Sequence, residues 1–304
     1  MTFTRHLLAL CASALFAATS YACESGEADC VEVGKWDISL GIGAGVRTNP
    51  VEDGDDIPLV LIPQVNYNGE RFFIQNLDLG MILWETDSQQ FNLVMTPSYD
   101  QVFFDRWNPS NFFTDSNALV STGVDKNGDG GGTFGPENPA IEGGTELVSP
   151  GFKEVSTRDL RNRRTAGLAG IEYQVSLDSV DVQFQYLSEF TGLHHGDEAR
   201  LSIAKHWMSG KHHWVGSLGA VWQSSNTVNY YYGVTPPEAD QRGTYVADAA
   251  VSGIARFDWN YKLTERWDLR LLASYRQLPD EISASPLIND NKVITVFVGG
   301  VYHF

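Results

Sequence analysis

The chain closes on "VITVFVGGVYHF" (293–304), apolar at alternate positions through to its last residue. At period two, Ile294, Val296, Val298, Gly300, Tyr302 and Phe304 fall on one face. Val293, Thr295, Phe297, Gly299, Val301 and His303 fall on the other. Chain ends ordinarily fray. An end that stays apolar to its final aromatic residue reads as an anchored strand with one face seeking a non-aqueous neighbour. That neighbour is either a protein core or lipid.

The same alternation recurs in "WDISLGIGAGV" (36–46), "SVDVQFQYLSEF" (179–190), "VSGIARFDWNYK" (251–262) and "RWDLRLLASYRQ" (266–277). An amphipathic helix would not keep this period. A soluble sandwich also has one wet face per strand, so alternation alone leaves both neighbours open. Two features favour lipid. The apolar faces begin or end in Trp, Tyr or Phe, as an aromatic girdle requires, and the connections alternate short and long. Beyond residue 22 no run of 18 apolar residues exists, so no helix is expected to cross a membrane. A spanning chain of this kind must close into a barrel, since an open sheet would leave backbone groups unpaired in lipid.

Counting back from Phe304, taken as periplasmic, tight turns fall at 263–265, 209–211, 178–179, 86–89 and 68–70. Longer outer loops fall at 278–291, 225–249, 191–196 and about 105–162. Two tight turns bracket 71–85, so that stretch must rise and return as a short hairpin near Asn76. Strands are then expected near 36–46, 58–67, 71–76, 77–86, 90–101, 164–177, 179–190, 197–208, 212–224, 250–262, 266–277 and 292–304. The expected fold is all-β: a transmembrane antiparallel up-and-down β-barrel of 12 strands, or of ten should the 71–86 hairpin be absent.

The first residues read as a processing signal. Arg5 and His6 precede the apolar run "LLALCASALFAA" (7–18), too short to span, and "SYA" (20–22) places small residues before Cys23. Residues 1–22 are expected to be removed on export, with lipid modification of Cys23 as the alternative. Cys23 and Cys30 then remain, and an oxidising periplasm favours a disulfide between them over two free thiols. The formal charge of −17 argues against a nucleic-acid partner.

Several clusters carry possible chemistry. "GIGAG" (41–45) lies inside a strand without dinucleotide-loop spacing, and Gly41, Gly43 and Gly45 share the lumen face, relieving crowding. In "DKNGDGGG" (125–132), Asp125, Asn127, Asp129 and Gly130 match positions 1, 3, 5 and 6 of a calcium loop. Position 12 is Pro136, so the reading is weak Ca²⁺ binding in the 125–130 loop or an Asx-rich turn. Arg158, Arg161, Arg163 and Arg164 cluster near the outer rim. They could clamp lipopolysaccharide phosphates or pair with loop acids such as Glu154 and Asp159. In the lumen, if Lys262 faces Arg266 across the turn, Asp258 lies opposite Arg270 as a cross-strand pair. The doublets His194–His195 and His212–His213 lie at opposite barrel ends and cannot share a metal. No G-x-S-x-G occurs, and no catalytic triad stands out.

Four stretches carry a resemblance to a known family: "NYNGERFFIQ" (66–75), "YYYGVTPPEA" (230–239), "YKLTERWDLRLLASYRQLPDEISASPLI" (261–288) and the closing "GGVYHF". They resemble the MipA/OmpV family (MltA-interacting protein family) of Gram-negative outer-membrane proteins. The match covers most of 36–304 and is strongest from 225 onward; the insertion at 105–162 is longer than the family pattern. The resemblance implies an outer-membrane barrel at 36–304 behind a periplasmic segment at 23–35, in contact with outer-membrane lipid and lipopolysaccharide. It supplies no catalytic residues. For one branch it implies a scaffold holding a murein-cleaving lytic transglycosylase near a murein synthase. The closing pattern also resembles the signal read by the barrel-insertion machinery. Gly299, Tyr302 and Phe304 occupy the matching places, and Phe297 sits where a polar residue is common. The alternatives to a scaffold are a narrow channel for small solutes and a barrel hydrolase.

Overall fold

The structure, a computed structural model, describes residues 33–105, 108, 111, 161–239 and 244–304. Among these, twelve strands form a closed antiparallel barrel: β1 (Lys35–Arg47), β2 (Ile57–Asn68), β3 (Phe72–Gln75), β4 (Asp78–Glu85), β5 (Gln89–Pro97), β6 (Gly167–Leu177), β7 (Val180–Glu189), β8 (Asp197–Ser209), β9 (His212–Gln223), β10 (Ala250–Lys262), β11 (Trp267–Gln277) and β12 (Lys292–His303). Each strand pairs with its sequence neighbours, and β1 pairs with β12 to close the wall. Two short helices, α1 (Ser225–Tyr232) and α2 (Asp280–Ser283), lie in outer loops.

The faces are inverted relative to a soluble domain. Leu218, Val298, Ile203 and Ile42 point outward and are 67, 53, 50 and 49 % exposed. Asn92, Glu172, Gln174, Gln183, Arg200 and Arg270 point inward and are buried. Water would not tolerate that outer surface; hydrocarbon would. Six of the eight tryptophans (Trp36, Trp84, Trp207, Trp214, Trp259 and Trp267) sit at the end carrying the tight turns, where an interfacial belt belongs. Phe304 joins that belt, edge-on to Tyr302 at 5.0 Å, and its amide donates to the Ile38 carbonyl at 3.0 Å. This accounts for the aromatic chain end: the last residue anchors the closing strand at the membrane boundary.

The closing seam explains the inward aromatic of β12. Phe297 is fully buried in the lumen beside Ile57, Leu59, Ile62 and Leu272. Its ring tip lies over Gly43 and Gly299, which face each other across the β1–β12 pair. A Cβ on Gly43 would lie 2.8 Å from Phe297 Cζ and 2.6 Å from Gly299 Cα. The glycines therefore make the slot that the ring fills.

The hairpin β3–β4 turns at Asn76, whose φ of 55° lies in the left-handed region that Asn tolerates. Asn76 donates its amide to the Val65 carbonyl (2.9 Å) and accepts the Val65 amide on Oδ1 (3.2 Å). The hairpin ends there. Above it, residues 57–64 of β2 pair with β1 alone, and the wall carries a step. Prolines mark its borders. Val65 directs its amide groups to the stepped edge, so Pro63, two residues on, does the same. Pro58 faces outward like Val65 and Pro63 and takes the same edge. Ser98 donates its amide to Ala166 on the far side of β5, so Pro97 directs its nitrogen to the step. These are the three prolines found in the described strands. Each lacks an N–H where no strand would accept one.

Two strand limits differ from expectation by three residues or more. β5 ends at Pro97 rather than 101, and β6 begins at Gly167 rather than 164. Past Pro97 the chain turns inward as a 3-10 turn, Asp100–Phe103, because Val102 and Phe103 bury in an apolar core over the lumen.

Candidate functional site

The outer end of the barrel carries a small folded cap. Val228, Tyr231 and Tyr232 lie at helical spacing on one face of α1, and all three are fully buried. They meet Val51, Val102, Phe103, Leu278, Ile282 and Ile288, so the connections after β1, β5, β9 and β11 share one core. The sequence reading treated 225–249 and 278–291 as plain loops. The spacing of Val228, Tyr231 and Tyr232 was the available signal.

The cap accounts for two of the four rim arginines. Arg163 is buried and pairs with Glu238 at 3.1 Å. It donates to the carbonyls of Tyr231 (2.6 Å) and Gly233 (2.9 Å) and stacks over Phe104. Arg161 donates to the carbonyls of Asn229 (2.9 Å) and Tyr230 (3.0 Å) and lies 3.6 Å from Glu238. Helix C-termini leave such carbonyls without partners and favour cations nearby. The two guanidiniums therefore cap α1, and the acid they meet among the described residues is Glu238; Glu154 and Asp159 lie outside those residues. Arg164 is exposed, and its amide donates to the Tyr230 hydroxyl oxygen at 3.0 Å. Arg158 lies outside the described residues, as do Cys23, Cys30 and the calcium-loop residues Asp125, Asn127 and Asp129.

The cap is expected to loosen in acid. Burial pushes the Glu238 carboxyl up, but hydrogen bonds from the Thr235 hydroxyl and amide, with the Arg163 charge, outweigh it and hold the group below the usual carboxylate range. Burial lowers the His194 imidazole against the pull of Glu189 and Glu198; its ring lies tilted against Tyr230 at 5.2 Å. Both folded-state values lie below the unfolded ones. Both contributions are therefore complete above the unfolded values, about 6.5 for His and about 4.3 for Glu, and are lost as pH falls through the folded ones. Hydrogen exchange should show α1 losing protection between pH 7 and pH 4 as His194 titrates, with the Glu238 part following below pH 4, while β6–β8 keep theirs. Equal protection of α1 across that range would contradict this.

Below the cap the lumen is filled by a polar network. Glu172 accepts four side-chain amides: Asn92 (2.8 Å) and Gln174 (2.7 Å) on Oε1, Gln183 (2.7 Å) and Gln185 (2.6 Å) on Oε2. Asp258 accepts Arg256 at 2.6 and 2.9 Å and Arg270 at 2.7 Å. The expected register across the last tight turn is corrected here. Lys262 faces Asp268, so Asp258 faces Leu272 and Arg270 faces Asn260. Thr264 is the cause: its hydroxyl oxygen takes the amides of Arg266 and Trp267, lengthening the turn. Arg270 reaches Asp258 diagonally. The His212–His213 doublet points apart, as adjacent strand residues must. His213 stacks on His206 in the lumen, and His212 stacks on Trp214 outside. The 41–45 glycines line the lumen beside Phe297.

Between cap and network lies a cavity of about 50 Å³, bordered by Arg47, Arg256, Arg276, Asp100 and Glu198. The sequence reading did not single out Arg47 or Asp100. They come together only because β1, β11 and the 3-10 turn converge at the outer mouth.

A family model described as "MltA-interacting protein MipA" matches residues 40–304. The chain belongs to this family. Over 280 residues it is 22 % identical to the MltA-interacting protein of Escherichia coli K12, covering 88 % of this chain and 90 % of the relative. Over 270 residues it is 23 % identical to the outer membrane protein YiaT of the same organism, covering 88 and 91 %. A stretch of 87 residues is 32 % identical to the outer membrane protein OmpV of Vibrio cholerae, covering 28 and 34 %. Among solved structures, the NanC porin aligns over 88 % of this chain and 99 % of its own at 7 % identity, with a TM-score of 0.39. This MipA-family chain is a β-barrel protein of the Gram-negative outer membrane.

Proposed function

We propose that the barrel is a non-catalytic envelope scaffold, closed to bulk solute flow, whose periplasmic face docks a murein-cleaving lytic transglycosylase beside a murein synthase. The observation that carries this reading is the closed outer mouth. A channel needs a continuous wet path, whereas here an apolar core of Val228, Tyr231 and Tyr232 sits over a lumen filled by hydrogen-bonded side chains. The relative named MltA-interacting protein supplies the partner class. The docking surface would be the tight turns with the 23–35 segment.

Tagged barrel drawn from detergent extracts of the envelope should retain a lytic transglycosylase and a murein synthase. In planar bilayers the same preparation should be electrically silent. Retention of neither enzyme removes the scaffold reading, and stepwise conductance replaces it with a channel.

A further inference from the structure

Arg47 ends β1 inside the barrel, 2 % exposed. The one hydrogen bond its side chain makes among the described residues is long, from Nη1 to Asn111 Oδ1 at 3.4 Å. The charged groups that act on it are Arg256 and Arg276, which repel it. The neighbouring acids are committed elsewhere. Asp100 holds Arg276 at 2.9 Å and also accepts Gln223. Glu198 holds Arg200 at 2.6 Å. Asp258 holds Arg256 and Arg270. The cavity border thus carries three guanidiniums and two carboxylates, in a chain whose formal charge is −17. Arg276 Nε is buried with no hydrogen-bond partner.

A buried charge without a counter-charge is among the costliest features a fold can retain. An apolar residue of similar volume would remove that cost. A guanidinium is retained here, bordering a cavity that Arg276 also borders. Guanidinium forks match the paired oxygens of a carboxylate or phosphate group. The cavity is large enough for a few water molecules or one such group.

We propose that this chamber beneath the cap binds a small oxyanion, a phosphate or carboxylate group, with Arg47 as its anchor and Arg276 as the second donor. The site is distinct from the periplasmic docking face and does not depend on it. Phe103 and Val293 belong to both the chamber and the cap core, so the bound anion also braces the cap from below.

The test is the thermal midpoint of the full chain folded in zwitterionic detergent, titrated with inorganic phosphate, with acetate, and with chloride at matched ionic strength. Phosphate or acetate should raise the midpoint saturably while chloride does not, and whichever acts identifies the ligand class. Arg47→Met should abolish that response, and without oxyanion its midpoint should equal or exceed that of the unaltered chain, because the unpaired charge is gone. Arg47→Lys, which keeps the charge but loses the fork, should weaken the response at least several-fold. An equal rise in chloride, or a phosphate or acetate response that survives in Arg47→Met, overturns the proposal. So does a lower Arg47→Met midpoint in oxyanion-free buffer, which would make Arg47 a structural residue.

Discussion

Gly43→Leu should leave the chain unable to close its barrel. The added side chain has nowhere to go: Gly299 Cα and the Val298 carbonyl block it across the seam, and the Phe297 ring blocks it from the lumen. Overpacking of a formed core costs about 1–3 kcal/mol. Here two of the obstacles are backbone, so relief requires β1 and β12 to separate and the nine-residue register between them to fail. The expected result is loss of the compact band that folded barrels give on unheated gels, with the chain running as unfolded at every temperature. Gly253→Ala is the control, since nothing lies within 4 Å of a Cβ there. A Gly43→Leu barrel that folds in normal yield and melts normally would show that the seam does not depend on the glycine slot.

Asp258→Ala should produce the second-largest loss. The carboxylate is 7 % exposed and serves two guanidiniums at once. Its removal leaves Arg256 and Arg270 facing each other in the lumen, and breaking a buried pair in this way costs about 3–5 kcal/mol. The urea midpoint of the folded barrel in detergent should fall accordingly. Replacing Arg270 as well, with Leu, should recover part of the loss, because one of the two guanidiniums that Asp258 serves goes with it. Equal midpoints for Asp258→Ala and the unaltered chain would mean that solvent already screens the cluster.

The barrel was legible in the sequence because its signals are periodic and numerous. Outward Val298, Ile42 and Leu218 alternate with inward polar or small residues, and tight turns punctuate the strands at one end. The turn at Asn76 followed from topology alone, since two tight turns on one side of the membrane force a reversal between them. The cap was not legible. Its helices are only eight and four residues long, and the core residues Val51, Val102, Val228 and Ile282 are scattered across four connections. Arg163 finds Glu238 75 positions away, a distance over which spacing says nothing. The Asp258 register was misread because counting residues in "LTE" cannot reveal that the Thr264 hydroxyl widens the turn by capping two amides. Residues at 57–64 likewise read as an ordinary strand; only the way β2 pairs in the folded barrel exposes its missing neighbour.

The proline-bordered step in the wall has a consequence for life in a crowded membrane. A stray extended peptide that slides along an incomplete sheet normally zips on by exchanging donors and acceptors at every second residue. Along Pro58, Pro63 and Pro97 it would meet carbonyl oxygens with few hydrogens to answer its own, so the exchange stalls after a contact or two. The molecule can thus keep a breach in its palisade without becoming the seed of an aggregate.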